Sequence, residues 1–400
     1  MPMDADRRRE IIATQKPDIQ WANEPRMGSY YGPEEFEAVR AEMERCNRPD
    51  VGFDAHNEVS HEFEDKFAEW CGARYALTVN GAGSGLDMAV MALDLQPGDE
   101  VIVPAINFKA AALAVLGQGG KVVWCEVDER TFQADPADVE ARITDRTRAI
   151  FPVHMNGMAA PIDAYVEIAE NHPHPRFGPP KVIGDAARSC GARLKDRRVG
   201  SWEWICVFSF HTMKNMTTLG EGGMVVTQEA GDAERMRKIR GFGGDVWGTN
   251  YKMTNVQAAV GLVQLGRIDT MLDQRRAVAA ERNGLLAGID PIELPYVPED
   301  CWHSYYLYTC LVPEEWAGEK RDRLLQIMRE EFDVPCVVAN PPCYHSNQFL
   351  FNNTDHSDLP RSELLGQRLF CVPIHPQISS SDNEYICAAL WEAVERVKTG

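Results

Sequence analysis

The sequence predicts an α/β fold in which helices cover both faces of a mainly parallel sheet, followed by a smaller C-terminal α+β region. Short apolar runs alternate with helical patterns between residues 75 and 230, and these runs are apolar throughout, as in strands buried on both faces. The chain has 400 residues, of which 44% are hydrophobic, enough for two or three domains. We expect an N-terminal arm and helix (residues 1–55), a large α/β domain (56–275) and a small α+β domain (276–400).

The composition excludes several classes of protein. A formal net charge of −19 argues against nucleic-acid or anionic-membrane binding, since both need clustered Lys and Arg, but it leaves small anionic ligands possible. No apolar run reaches the roughly 18 residues of a membrane span, and the N-terminus lacks the apolar core of a signal peptide, so we expect a cytoplasmic protein. The eleven cysteines include no CxxC pair, which predicts free thiols and no metal site.

Two helices are predicted before the first strand. After a polar arm, a helix begins near Pro33 and carries Phe36, Val39 and Met43 on one face, which makes it amphipathic. A second helix runs from about residue 56 to 71. Its aromatic residues Phe63, Phe67 and Trp70 have the spacing of one buried face, so we expect them in the core.

A glycine-rich turn joins the first strand to the next helix. The apolar strand Tyr75–Val79 is followed by NGAGSG (80–85) and then by LDMAVMAL, whose apolar spacing is helical. Free amides at the N-terminus of such a helix bind anions, most often phosphate. A dinucleotide site would need a carboxylate at the end of the next strand, which instead ends in Pro104 and Ala105. A simple tight turn remains the alternative.

The remaining elements follow in alternation. Strands are predicted at VIVPAI, KVVWCEV, RAIFPV and KVIGDAA, and helices at FKAAALAVL, after the N-cap Asp135, and at PIDAYVEIAE. A long helix from about residue 254 to 286 leads to a strand (SYYLYTCLV), a helix near 320–332 and a terminal helix from about 382. Sites in parallel sheets lie beyond the carboxyl ends of the strands, where Gly81–Ser84, Phe108, Asp185 and Lys214 are all expected.

Lys214 is the strongest candidate for a catalytic residue, because of its position between two predicted strands. It follows the apolar run Ile205–Phe210 and precedes TTLGEGG and a short strand, Met224–Thr227. A solvated surface charge is the ordinary interpretation of a lone lysine. At the end of a core strand, however, desolvation lowers the pKa of the amine, which then forms a Schiff base with a carbonyl group.

Pyridoxal 5′-phosphate would satisfy both the lysine and the phosphate cradle. Its ring withdraws electrons best when the ring nitrogen is protonated, and a nearby carboxylate keeps it so. Asp185, at the end of an apolar strand, is the best-placed carboxylate, although an aspartate there is also a common cap or turn residue.

The order of six segments resembles the DegT/DnrJ/StrS family of pyridoxal-phosphate aminotransferases: NGAGSG, PAINF, PVHMNG, GDAARSCGA, FSFHTMKNMTTLGEGG and NYKMTNVQAAVG. This resemblance, over about residues 30 to 380, implies fold type I and an acceptor that is a nucleotide-linked keto sugar or a keto cyclitol. It implies that Lys214 carries the cofactor and moves the proton, that Asp185 pairs with the ring nitrogen and that Phe108 stacks on the ring. Ser209 resembles the phosphate-binding serine.

The resemblance also implies a homodimer with shared sites, because Asn250 resembles an asparagine that reaches the phosphate of the neighbouring subunit. The chain departs from the family at Ala82 and Gly83, where Gly-Thr is usual, so that the hydroxyl moves to Ser84. Arg188 stands where many members have Gln or His. It would lie near the phenolic oxygen of the cofactor or touch substrate, or else form a salt bridge elsewhere.

The favoured activity is therefore transfer of an amino group from L-glutamate or L-glutamine to a keto sugar or cyclitol. Two alternatives remain. Related sugar dehydratases carry histidine where this chain has Lys214, which argues against that reaction. A non-catalytic regulatory protein on the same fold would not need Lys214, Asp185 and Phe108 together.

Overall fold

A computed structural model of the protein describes residues 3–15, 30–51 and 54–399. The strands are β1 (Tyr75–Val79), β2 (Glu100–Pro104), β3 (Lys121–Cys125), β4 (Thr147–Ile150), β5 (Lys181–Asp185), β6 (Arg193–Leu194), β7 (Arg197–Arg198), β8 (Ile205–Ser209), β9 (Gly223–Thr227), β10 (Cys301–Trp302), β11 (Tyr308–Leu311) and β12 (Leu369–Val372). The helices are α1 (Ala5–Thr14), α2 (Pro33–Cys46), α3 (Glu58–Cys71), α4 (Ala82–Met91), α5 (Ala110–Gly117), α6 (Pro136–Ala141), α7 (Ile162–Asn171), α8 (Ala230–Arg240), α9 (Asn255–Leu285), α10 (Glu319–Phe332), α11 (Gln348–Asn353), α12 (Pro360–Arg368) and α13 (Ser380–Thr399).

The central sheet has seven strands in the order β1-β9-β8-β5-β4-β2-β3. Only β9 runs antiparallel to its neighbours, β1 and β8. The predicted α/β class with a mainly parallel sheet is therefore confirmed. Because β1, β2, β4, β5 and β8 point the same way, their carboxyl ends meet at one edge of the sheet, where the predicted site residues were expected.

Helix α4 lies close against this sheet because of a glycine. A Cβ at Gly85 would lie 2.7 Å from a methyl carbon of Val207 and 2.9 Å from one of Val225, closer than real Cβ contacts. Hydrogen in place of a side chain lets α4 approach the strands. This close packing fixes where the N-terminus of the helix meets the sheet edge.

The aromatic face of α3 is buried as predicted for Phe63 and Phe67, which are fully inaccessible, whereas Trp70 is only half-buried. The apolar residues of α2 differ. Phe36 is 70% exposed and Met43 is 59% exposed, so this stripe does not face the core of its own chain.

The polar N-terminal arm contains a helix that sequence periodicity did not predict. Helix α1 packs against the C-terminal helix α13, and its side chains Arg7 and Arg8 bind Glu384 and Glu392. Only Met3 and Ile11 of this segment enter the hydrophobic core, too few for a periodic signal. The tertiary contact with α13, over 350 residues away, stabilises it.

The C-terminal part pairs β11 with β12 in a small antiparallel sheet flanked by α10 and α13. The predicted strand SYYLYTCLV is shorter than expected, because Tyr305 adopts a left-handed conformation (φ 47°) and extended pairing begins only at Tyr308. All eleven cysteines are free. Among the described residues, no helix is long and apolar enough to cross a bilayer.

Candidate active site

A cavity of about 460 Å³ opens at the carboxyl edge of the central sheet. Seven of the predicted site residues line it: Ala82, Gly83, Phe108, Asp185, Arg188, Ser209 and Lys214. Two others, Ser84 and Asn250, do not. The cavity also takes in residues of the C-terminal part, among them Tyr306 and Asn340, so chain segments more than 250 residues apart form its walls.

The N-terminus of α4 forms one end of the cavity. Gly81 is the N-cap, and its extended backbone places the amides of Ala82 and Gly83 in the first turn, where a helix offers no internal acceptor. A Cβ at Gly83 would meet nothing within 4 Å, so the space beside these amides is open. Free amides and the positive end of the helix dipole together suit an anion such as phosphate.

Ser84, for which a role as a phosphate ligand was predicted, does not line the cavity. Its hydroxyl donates a hydrogen bond to Oδ1 of Asn80 at 2.6 Å, one helical turn back in the chain. The side-chain hydroxyl is therefore used to hold the start of α4. The buried hydroxyl of Ser209, at the end of β8, does face the cavity.

Lys214 lies in the turn that follows β8. Its backbone N–H donates to His211 O at 2.8 Å, and neighbouring backbone bonds from Phe210 and Thr218 close the loop. The Nζ atom lies 3.3 Å from the hydroxyl of Tyr306 and 4.7 Å from the centroid of that ring. Tyr306 thus orients the half-buried amine towards the cavity.

Asp185 is a nearly inaccessible carboxylate at the end of β5, 3% exposed. Its Oδ1 accepts the N–H of Ala187 at 2.9 Å, and among the described residues no donor lies on Oδ2. Burial raises the pKa of Asp185, and the charges of Lys214 and Arg188 oppose this only in part. A cation placed in the cavity would therefore stabilise the ionised form.

A fully buried pair, His154 and Glu203, supports this edge of the sheet from within. Nε2 of His154 lies 2.9 Å from Glu203, and its Nδ1 accepts the N–H of Ala160. Burial raises the pKa of Glu203, but the close contact with His154 and backbone hydrogen bonds lower it further, so that it lies below its usual value. The backbone of His154 binds the carbonyl of Asp185 and the hydroxyl of Ser189, which holds both ends of the 185–189 segment.

Phe108 lies at the rim of the cavity and is 51% exposed. Nζ of Lys109 lies 5.6 Å from the centroid of its ring, and the stacking of Phe108 on a cofactor stays a prediction. Glu221 also lies at the rim near Gly81, but 69% of its side chain is exposed and it has only a distant ionic contact with His211. Solvent therefore weakens the repulsion between this carboxylate and an anion bound at the N-terminus of α4.

Arg188 projects into the cavity from the loop after β5. One of its NH2 hydrogens binds Oδ1 of Asn340 at 2.9 Å, and its guanidinium carbon lies 5.8 Å from the centroid of Tyr306. The alternative of a salt bridge elsewhere is not seen, since within the described ranges no carboxylate lies within salt-bridge distance of Arg188.

Asn250 is exposed and lies outside the cavity of its own chain. Its side-chain oxygen accepts the N–H of Lys252 at 3.4 Å, in a loop that pairs Asn250 with Gly241. Phe242 and Trp247 of the same loop are each 67% exposed. A role for Asn250 at the phosphate would therefore require a second subunit.

The residues present fit pyridoxal 5′-phosphate. The open amides of α4 suit a phosphate, the buried Asp185 has an unused oxygen for a protonated ring nitrogen, and the amine of Lys214 lies on the same cavity. The cavity volume accommodates a ring of this size and part of a substrate.

Tyr306 and Asn340 are the cavity residues whose roles the sequence did not reveal. Tyr306 belongs to a segment read as a core strand, and it is only 3% exposed. The contact of Asn340 with Arg188 joins two segments that are far apart in the sequence. Asn340 has a left-handed backbone conformation (φ 69°), which bends the loop and which the sequence alone does not reveal.

The chain is similar to known proteins over most of its length. The model of the DegT/DnrJ/EryC1/StrS aminotransferase family matches residues 41–391. GDP-perosamine synthase of Caulobacter vibrioides is 34% identical over 341 residues, 82% of this chain and 88% of that protein. The dTDP-3-amino-3,4,6-trideoxy-alpha-D-glucose transaminase of Streptomyces venezuelae is 34% identical over 345 residues, 84% and 87% of the two chains.

A solved structure shows the same fold. The crystal structure of S. venezuelae DesV in complex with a ketimine intermediate superposes with a TM-score of 0.82 at 32% identity, covering 91% of this chain and 95% of that one. The similarity therefore extends over both the central sheet and the C-terminal part.

Proposed function

Since the chain belongs to the DegT/DnrJ/EryC1/StrS aminotransferase family and is a sugar aminotransferase that uses pyridoxal 5′-phosphate, we propose that L-glutamate or L-glutamine supplies its amino group to a nucleotide-linked keto sugar. The observation that supports this best is the convergence of Lys214, Asp185 and the open N-terminus of α4 on one cavity. A keto cyclitol is the second acceptor class that such a cavity can take.

Most of the predicted site residues that line the cavity have a role in this proposal. The amides of Ala82 and Gly83 and the hydroxyl of Ser209 bind the phosphate, and Phe108 covers one face of the ring. Asp185 holds the proton on the ring nitrogen. The bound cofactor supplies an electron sink that labilises the proton on the carbon bearing the amine.

Lys214 acts on that proton. Nζ would hold the bound cofactor and, when free, would act as the base that moves this proton between the two carbons on either side of the amine nitrogen. Tyr306, 3.3 Å from Nζ, restricts the position of the amine within the cavity. The surrounding cavity wall excludes water, because Leu86, Val153 and Leu307 face it.

The donor is tested by absorption spectroscopy. The purified protein should absorb in the visible region and lose this band when L-glutamate or L-glutamine is added, whereas Lys214→Ala should not respond. Borohydride should fix a pyridoxyl group at position 214, detectable by mass spectrometry. Failure of both donors to bleach the band would contradict the proposed activity.

The acceptor is tested with a panel. UDP-, dTDP- and GDP-linked keto sugars and inosose-type ketones are each offered to the amine-loaded enzyme, and the return of the visible band is measured. The relatives that act on GDP- and dTDP-linked sugars support a nucleotide-linked acceptor. A response to inososes alone would favour the cyclitol.

We also propose a homodimer in which Asn250 reaches the phosphate of the partner's site. The exposed side chains of Phe36 and Met43 on α2, and of Phe242 and Trp247 in the loop that holds Asn250, support this proposal, since large apolar side chains exposed in this way are typical of surfaces covered by a partner. Mixing Lys214→Ala with Asn250→Ala subunits should restore activity, because one site of the mixed dimer keeps both residues. No recovery after subunit exchange would refute shared sites.

A further inference from the structure

Arg188 is the cavity cation that the proposed chemistry does not use. Asp185 is assigned to the ring nitrogen and Lys214 to the carbonyl carbon, whereas Asn340 is the one hydrogen-bonding partner of Arg188 among the described residues. In the part of the chain that the structure describes, its guanidinium contacts no carboxylate, and Arg188 lines the cavity. A guanidinium presents a fixed fork of donors whose natural partner is a carboxylate.

The position of Arg188 relative to Lys214 indicates which carboxylate it binds. Nζ of Lys214 lies 4.7 Å from the ring centroid of Tyr306, and the guanidinium carbon of Arg188 lies 5.8 Å from the same centroid. Both cations therefore approach one phenol ring. An α-amino acid carries its carboxylate one bond from the carbon that bears its amine, so a donor reacting at the place of Nζ brings its carboxylate close to that ring.

We propose that Arg188 binds the α-carboxylate of the amino donor, and that Asn340 fixes the plane of its guanidinium. The inference rests on the proposed function, which requires an amino-acid donor. Keto sugars and cyclitols, with or without a nucleotide, offer no such carboxylate at the reacting carbon. Arg188 therefore selects the donor through this carboxylate.

The other partner within reach of Arg188 would be the phenolic oxygen of the cofactor. A guanidinium there would change the reactivity of the carbonyl carbon towards every amine. The two possibilities are separated by a pair of probes that differ in one carboxylate. Aminooxyacetate and O-methylhydroxylamine both displace the amine of Lys214 from the cofactor carbonyl carbon and form oximes, but only the first carries a carboxylate.

The experiment compares the wild type with Arg188→Gln, and with Arg130→Gln as a matched control, because Arg130 is exposed and stacks on Tyr296 in a separate groove. Oxime formation is followed by loss of the visible band. In Arg188→Gln the apparent affinity for aminooxyacetate should fall roughly 10- to 100-fold, as for a lost charge-assisted hydrogen bond. The rate with O-methylhydroxylamine should stay unchanged, and Arg130→Gln should behave as the wild type.

Equal effects on both probes would overturn the proposal in favour of the phenolic oxygen, and no effect on either would exclude both partners. Arg188→Lys, which keeps the charge but not the fork, should lie between the wild type and Arg188→Gln. Calorimetry with 2-oxoglutarate gives an independent readout, since this keto acid binds the aldehyde form without reacting. Its dissociation constant should rise about tenfold or more in Arg188→Gln; an unchanged constant would also overturn the proposal.

Failure of the proposed donor and failure of the role of Arg188 give different experimental results. If the wild type failed to react with amino acids, the donor assignment would fall. Binding of 2-oxoglutarate and its dependence on Arg188 would still be measured, because neither requires turnover.

Discussion

Replacing Asp185 by asparagine separates the charge of this residue from its shape. The amide keeps the size of the side chain and can still accept the N–H of Ala187 through its oxygen. What it loses is the negative charge opposite the ring nitrogen. Opposite charges in contact at about 4 Å gain roughly 4 kcal/mol at an effective dielectric of 20, which corresponds to about three pKa units of the ring nitrogen.

The ring nitrogen should therefore be mostly unprotonated at neutral pH in Asp185→Asn. Because the electron sink depends on that proton, the half-reaction with L-glutamate should slow by about 100- to 1,000-fold. Stopped-flow absorbance measures this rate, and Asp273→Asn, on the exposed face of α9, is the matched control. A rate within about threefold of the wild type would refute the pairing of Asp185 with the ring.

Asp185→Asn should increase the stability of the apoprotein, although it slows the reaction of the loaded enzyme. Burial raises the pKa of Asp185, so the folded state holds its proton more tightly than the unfolded chain does. Ionisation of the buried carboxyl therefore reduces the free energy of unfolding. This reduction is absent below the pKa of Asp185 in the unfolded chain and complete above its pKa in the folded protein. Apo-Asp185→Asn should therefore resist urea better than the wild type at pH 8 and equally well at low pH.

Three further outcomes are expected. Tyr306→Phe should slow the half-reaction about tenfold with little change in KM, measured by stopped-flow, because Lys214 loses one hydrogen bond. Gly157→Ala should destabilise the protein by roughly 3 kcal/mol in urea unfolding, since its φ is 107° and a Cβ would lie 2.6 Å from the backbone nitrogen of Tyr306. Burial raises the pKa of Glu64, but His56 and Arg240 lower it further, to about 2. The ionised carboxylate therefore contributes about 3 kcal/mol to the free energy of unfolding above pH 4.5, and this contribution is lost as the pH falls towards 2. In Glu64→Gln, the stability measured by urea unfolding should depend less on pH over this range.

Much of the fold could be predicted because its signals are local. Apolar runs of five residues bounded by turns define β1, β2 and β5, and Thr254 begins α9 as a capping residue. Parallel strands end at the same edge of a sheet, and Asp185 ends β5 while Lys214 follows β8. The sequence therefore predicted that these two residues lie at the same edge.

Other features depend on contacts that local patterns do not contain. The antiparallel strand β9 lies between β1 and β8, although all three read alike as apolar runs. Ser84 and Ala82 both lie in the first turn of α4, yet only Ala82 faces the cavity, because the hydroxyl of Ser84 binds Asn80.

The sequence by itself determined the class of fold, the lysine and the carboxylate, since each is tied to the end of a buried strand. Only the tertiary structure decided that Tyr306, 92 residues after Lys214, orients its amine, and that Asn340, 152 residues after Arg188, holds its guanidinium. These contacts depend on how the C-terminal part packs on the sheet. That packing is the sum of many weak side-chain contacts, and no short stretch of sequence encodes it.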